Sequence, residues 1–143
     1  MNKSIETSIT INASAEKIWN ILMDFESYPT WNPFIQSIVG ERAKGKKLVA
    51  KIGGEKGMTF KPTVTDFEKN KHFAWLGSLL MKGIFDGKHE FILKSIDKNK
   101  TELIHKENFK GILSGLIFRM VKNDTIKGFK SMNHALKARA EKS

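Results

Sequence analysis

From Ile112 to Lys142 the chain contains no proline, and apolar residues recur at spacings of three and four: Leu113, Leu116, Ile117, Met120, then Phe129, Met132, Leu136 and Ala140. That period predicts one amphipathic helix of up to about 30 residues, roughly 45 Å long. Gly115 and Gly128 are the positions able to weaken or bend it. Everything from Phe34 to Gly111 reads differently. Turn signals at Gly40–Gly45, Gly53–Gly57, Glu68–Lys71, Met81–Gly83 and Asp97–Lys100 separate short segments of alternating polarity. Connections this short favour antiparallel hairpins over crossovers. A sheet followed by one long helix leaves few architectures. The helix is the only element large enough to cover the sheet, and a strongly curved sheet wrapped on it encloses space suited to an apolar ligand.

The N-terminal third completes the layout. Ile5, Ile9 and Ile11 share a phase with Thr7, against Glu6, Ser8, Thr10 and Asn12, which predicts a half-buried strand. Ser14 is placed as an N-cap, with Glu16 in the first turn of a short helix presenting Ile18, Trp19, Ile21 and Leu22. Pro29 and Pro33 limit the next stretch to one or two turns around Phe25, Tyr28 and Trp31. The expected fold is α+β: two short helices after the first strand, then a curved antiparallel sheet of about seven strands in all, wrapped on a long C-terminal helix. The 143 residues carry no internal repeat, linker or low-complexity tract, so residues 1–143 are read as a single domain.

Composition removes several classes of function. The chain has no cysteine, which excludes disulfides, thiol nucleophiles and Cys-ligated zinc. No apolar run is long enough to span a membrane and the N-terminus has no apolar signal core, so a cytoplasmic setting is expected. Twenty-five Lys and Arg against 15 Asp and Glu give a net charge of +10. These basic residues are dispersed over expected turns and helix faces, and no nucleic-acid-binding motif accompanies them. No specific nucleic-acid partner, metal or cofactor is expected, because no metal-ligand spacing, phosphate loop or Gly-x-Ser-x-Gly element occurs.

Three stretches then carry a family resemblance. Ile9-Thr10-Ile11-Asn12-Ala13-Ser14-Ala15-Glu16-Lys17-Ile18-Trp19, Asp24-Phe25, and Tyr28-Pro29-Thr30-Trp31-Asn32-Pro33-Phe34 resemble the START-like (SRPBCC) superfamily, and more narrowly its polyketide cyclase/dehydrase and lipid-transport branch. Gly87-Lys88-His89-Glu90-Phe91, Thr101-Glu102-Leu103, Glu107-Asn108-Phe109-Lys110-Gly111, Met132-Asn133 and Ala135-Leu136-Lys137 are similar to the same branch. The resemblance implies the helix-grip fold, with a cavity between sheet and C-terminal helix that takes hydrophobic small molecules. Its members include binders, carriers, cyclases and chaperone activators, so fold alone does not choose among them.

Alternation nominates the cavity lining. Phe85, His89, Phe91 and Leu93 share one strand phase, opposite Asp86, Lys88, Glu90 and Lys94, which are expected to be wet. Leu103, His105, Glu107 and Phe109 share another, and Met58, Phe60, Pro62 and Val64 a third. Trp75 joins them beside Phe73, while Met120, Phe129 and Met132 are placed to close the cavity from the helix. Asn133 is left between the cavity and solvent. The informative members are His89, His105 and Glu107, because a carboxylate among apolar side chains is costly unless paired. His105 and Glu107, two apart on one strand, form the expected pair, with His89 on a neighbouring strand. Three roles stay open for them: a self-satisfied polar network, recognition of a ligand's polar group, or acid–base chemistry. The leading expectation is a monomer or weak homodimer that binds or transports a hydrophobic or amphipathic small molecule. A cyclase or dehydratase using His105 and Glu107, and a chaperone-activator-like interaction protein, are the alternatives.

Overall fold

The computed structural model describes residues 3–54, 57–79 and 83–142. Strand β1 (Lys3–Ile11) leads into helix α1 (Ala15–Met23), whose Ser14 hydroxyl accepts from the Lys17 backbone N–H at 3.1 Å. A single turn of 3-10 helix (Phe25–Ser27) and the short α2 (Tyr28–Trp31) follow. Asn32 ends this stretch: its side-chain oxygen accepts from the backbone N–H groups of Phe34 and Ile35 at 2.9 and 2.8 Å, which turns the chain into the sheet.

Seven further strands are described: β2 (Ile35–Gly40), β3 (Leu48–Ile52), β4 (Met58–Phe60), β5 (Thr63–Glu68), β6 (His72–Leu79), β7 (Phe85–Asp97) and β8 (Lys100–Lys110). All pairings are antiparallel, in a five-stranded sheet ordered β1-β8-β7-β6-β5 and a three-stranded sheet ordered β2-β3-β4. Backbone bonds from Leu48 N to Pro62 O and from Val64 N to Lys46 O join the two at one edge. Thus eight strands stand where about seven are expected. Pro62 accounts for the difference, because it has no N–H for a ladder and divides the Met58–Val64 run into β4 and β5. The turn expected at Met81–Gly83 falls largely outside the described residues.

Helix α3 (Ser114–Glu141) crosses the five-stranded sheet and packs chiefly on β1. Its second half buries Phe129, Met132, Asn133, Leu136 and Ala140. That half sets the rotation of the whole helix, and here the expectation from sequence needs correction. At about 100° per residue Met120 lies roughly 180° around the axis from Phe129, and it is 75% exposed rather than closing the cavity. Leu116 is exposed as well, while Ile117 and Val121 face inward in their place. Glu90, expected to be wet, is buried on the outer face of the sheet. His72 Nε2 lies 2.9 Å from its carboxylate and Lys106 stands directly opposite on β8.

Candidate functional site

A cavity of about 420 Å³ lies between β6–β8, the β3–β4 hairpin and the first half of α3. It falls within the usual range for small-molecule sites, about 300–1,000 Å³. Phe34, Ile52, Phe60, Trp75, Phe85 and Phe109 supply apolar walls from the strand side, and Ile117 and Val121 face them from the helix. Met58, Asp124 and Lys127, all exposed, stand at the mouth. His89 and Glu107 form the polar end.

The two side chains stand in contact, and from His89 a chain of hydrogen bonds runs into the core. His89 stands opposite Glu107 in the β7–β8 register, and its Nδ1 lies 3.3 Å from Glu107 Oε1. His89 Nε2 meets His105 Nε2 at 2.7 Å, and His105 Nδ1 meets Asn133 Oδ1 at 2.9 Å. Asn133 Nδ2 donates to Thr7 Oγ1, and the Thr7 hydroxyl donates to the His105 carbonyl, each at 2.9 Å.

The far end determines the direction of every bond. The Thr7 proton is committed to a carbonyl, so Thr7 Oγ1 accepts from the Asn133 amide. The amide is thereby oriented with Oδ1 toward His105, whose Nδ1 must carry a proton to donate. Burial, reinforced by the neighbouring His89, holds the His105 pKa well below its ordinary value, while the Asn133 bond opposes this more weakly. His105 is therefore neutral, and its unprotonated Nε2 accepts from His89 Nε2–H. With its proton on Nε2, His89 turns Nδ1 toward Glu107 Oε1 at 3.3 Å, so the series ends at the cavity wall in the Glu107–His89 pair.

Packing fixes these groups in place. Trp75 stacks on His89 with ring centres 4.8 Å apart, and Phe129 stacks on His105 at 3.9 Å with the planes 7° from parallel. Gly87 on β7 makes room for the Glu107 carboxylate, since a Cβ at that position would overlap Oε2. Gly128 on α3 does the same for the ring of Phe34, which lies against both histidines and Phe129.

Of the residues nominated from sequence, Phe60, Trp75, Phe85, His89 and Glu107 line the cavity. Phe91, His105, Phe129 and Met132 are fully buried in the core behind this wall. The expected His105–Glu107 pair is not formed. Glu107 meets His89 instead, because residues directly opposite on paired strands approach more closely than residues two apart on one strand. His105 therefore has no direct access to the cavity and acts through His89. Sequence reading missed Phe34, Gly87 and Thr7 as parts of the site and left Asn133 open between cavity and solvent. Asn133 was recoverable, since it falls inside the 129/132/136/140 stripe at helical spacing.

Residues 2–141 match the family model described as polyketide cyclase/dehydrase and lipid transport. The chain belongs to this family. Solved structures place it with START-like folds. An aromatase/cyclase, Zhui from Streptomyces sp. R1128, has a TM-score of 0.79 at 16% identity, covering 99% of this chain and 95% of that one. A START superfamily protein from Mycobacterium smegmatis has a TM-score of 0.75 at 22% identity, covering 97% of each chain. A norcoclaurine synthase point mutant from Thalictrum flavum, in complex with a transition-state analogue, has a TM-score of 0.73 at 12% identity, covering 99% and 96%. No curated protein matches the sequence. At these identities the structural likeness establishes the fold. Family and fold together support a ligand-binding or cyclase-like role for this polyketide cyclase/dehydrase family member. Among the described residues no helix is long and apolar enough to cross a membrane.

Proposed function

We propose that the protein binds an apolar or amphipathic small molecule in the 420 Å³ cavity, with a polar group of the ligand directed at Glu107 and His89. The observation that carries this reading is the contrast within one wall. Aromatic and aliphatic side chains surround the Glu107–His89 pair, and a buried chain of hydrogen bonds holds His89 in place. Apolar burial would supply most of the affinity, about 0.8 kcal/mol for each methylene removed from water. The polar pair would supply orientation, the Glu107 carboxylate accepting from a hydroxyl group of the ligand. Native mass spectrometry of protein purified from its own cell, with fluorescence titration against lipids, sterols and aromatic polyketides, tests the reading. A co-purified apolar mass, or saturable quenching of Trp75, is expected. Protein that arrives empty and binds nothing in the panel would overturn it.

A second reading, proton transfer in a cyclase- or dehydratase-like reaction, is favoured by the carboxylate and imidazole of Glu107 and His89 standing 3.3 Å apart at the cavity wall. Glu107→Gln separates the two. Catalysis predicts lost turnover with the ligand still bound, whereas pure binding predicts changed affinity and no turnover in either protein.

A further inference from the structure

We infer that the first half of α3 docks on an anionic phospholipid surface, holding the cavity mouth against the lipid. This step goes beyond ligand binding and concerns the outer face of the helix. Ile112 is 81% exposed, Leu116 59% and Met120 75%, with Leu113 partly exposed between them. On a helix at about 100° per residue, Leu116, Met120 and Lys127 lie within roughly 40° of one another. This is a coherent apolar strip that ends in a cation. The same segment sends Ile117 and Val121 into the cavity, and exposed Met58 stands on the opposite lip. Lys127, in line with the strip, also stands at the mouth, so the strip adjoins it.

Charge identifies the occupant. Lys110, Arg119, Lys127 and Lys130 are exposed along this face or beside it, against Asp124. Among the described residues, Arg119, Lys127 and Lys130 have no carboxylate partner. Apolar side chains flanked by lysine and arginine on one helix match the interfacial region of an anionic bilayer, where apolar groups enter the acyl boundary and cations meet phosphate. A second copy of the chain would bring the same basic face against itself, at a net charge of +10 per molecule. A nucleic acid would satisfy the charge but leave Ile112, Leu116 and Met120 in water.

Co-sedimentation with vesicles tests the docking without any cavity ligand. Vesicles of phosphatidylcholine with phosphatidylglycerol should bind the protein, and phosphatidylcholine alone should not. Each basic residue near the surface contributes about fivefold in partitioning. Binding should therefore weaken steeply from roughly 0.1 M salt to roughly 1 M, as the screening length falls from about 10 to about 3 Å. Leu116→Glu with Met120→Glu should reduce partitioning by at least about tenfold and leave the melting temperature unchanged. The control pair Val39→Glu with Ile96→Glu, at exposed apolar positions on other elements, should bind as the wild type does. No binding to phosphatidylglycerol vesicles at low salt would overturn the inference, as would equal loss in both double variants. So would a dimer that the α3 substitutions dissociate, or tighter binding to DNA than to vesicles.

Discussion

Replacing Asn133 by leucine should reverse the order of protons through the core. The side chains are close in volume, so the change acts through hydrogen bonding. Asn133 takes the His105 Nδ1 proton and donates to Thr7, and both bonds disappear. If His105 kept its proton on Nδ1, a buried donor would be orphaned at about 1–3 kcal/mol. The alternative costs less: the His105 proton moves to Nε2 and His89 Nε2 becomes the acceptor. His89 Nδ1 then carries a proton and donates to the Glu107 carboxylate. Two acceptors, His105 Nδ1 and Thr7 Oγ1, are left short, partly offset by apolar burial of the leucine. A net loss of about 2 kcal/mol follows, or roughly 6–8 °C in Tm for a domain of this size. The chain has four histidines, so long-range nitrogen–proton NMR with single replacements can assign each tautomer. The wild type should have His105 protonated on Nδ1 and His89 on Nε2, and the variant the reverse. A wild-type His105 protonated on Nε2, or a variant with both tautomers unchanged, would refute the reasoning.

Acid should expose the same burial. Native His105 refuses a proton that the unfolded chain takes up near pH 6.5, so the unfolded state binds more protons below that pH. Stability should fall as the pH drops, by up to about 1.4 kcal/mol per unit for this group, and His105→Phe should remove that slope from urea midpoints measured between about pH 7 and about pH 5. Gly87→Ala places a methyl group where Glu107 Oε2 lies, so the carboxylate must move. Titration should show affinity for ligands with a polar head falling about tenfold, while purely hydrocarbon ligands bind as before. Gly128→Ala should lower Tm, although alanine is the better helix former by about 1 kcal/mol, because overpacking the Phe34 ring costs about 1–3 kcal/mol.

The strand phases, the N-cap at Ser14 and the long final helix were legible because each depends on local periodicity or on one hydrogen bond. The Glu107 partner was not. Between Ser95 and Asp97 the β7–β8 register slips by one residue, leaving Ile96 without a partner. Without that bulge His89 would stand opposite Asn108, and the inward face of one strand would meet the outward face of the other. Nothing in the alternation of β7 or β8 taken singly announces the slip. Met120 was misplaced for a related reason. The Leu113–Met120 stripe is amphipathic by itself, yet packing of Phe129, Met132 and Leu136 decides which way the helix faces.

The link from Asn133 to Thr7 joins residues 126 positions apart and ties the first strand to the last helix. Synthesis runs from the N-terminus, so His89 and His105 leave the ribosome before the amide that orients them exists. Until α3 docks, nothing distinguishes one nitrogen of His105 from the other. The handedness of proton placement in this wall is therefore acquired last. The histidine tautomers report completion of the fold, and a nascent chain with its sheet already paired would still present an undirected site.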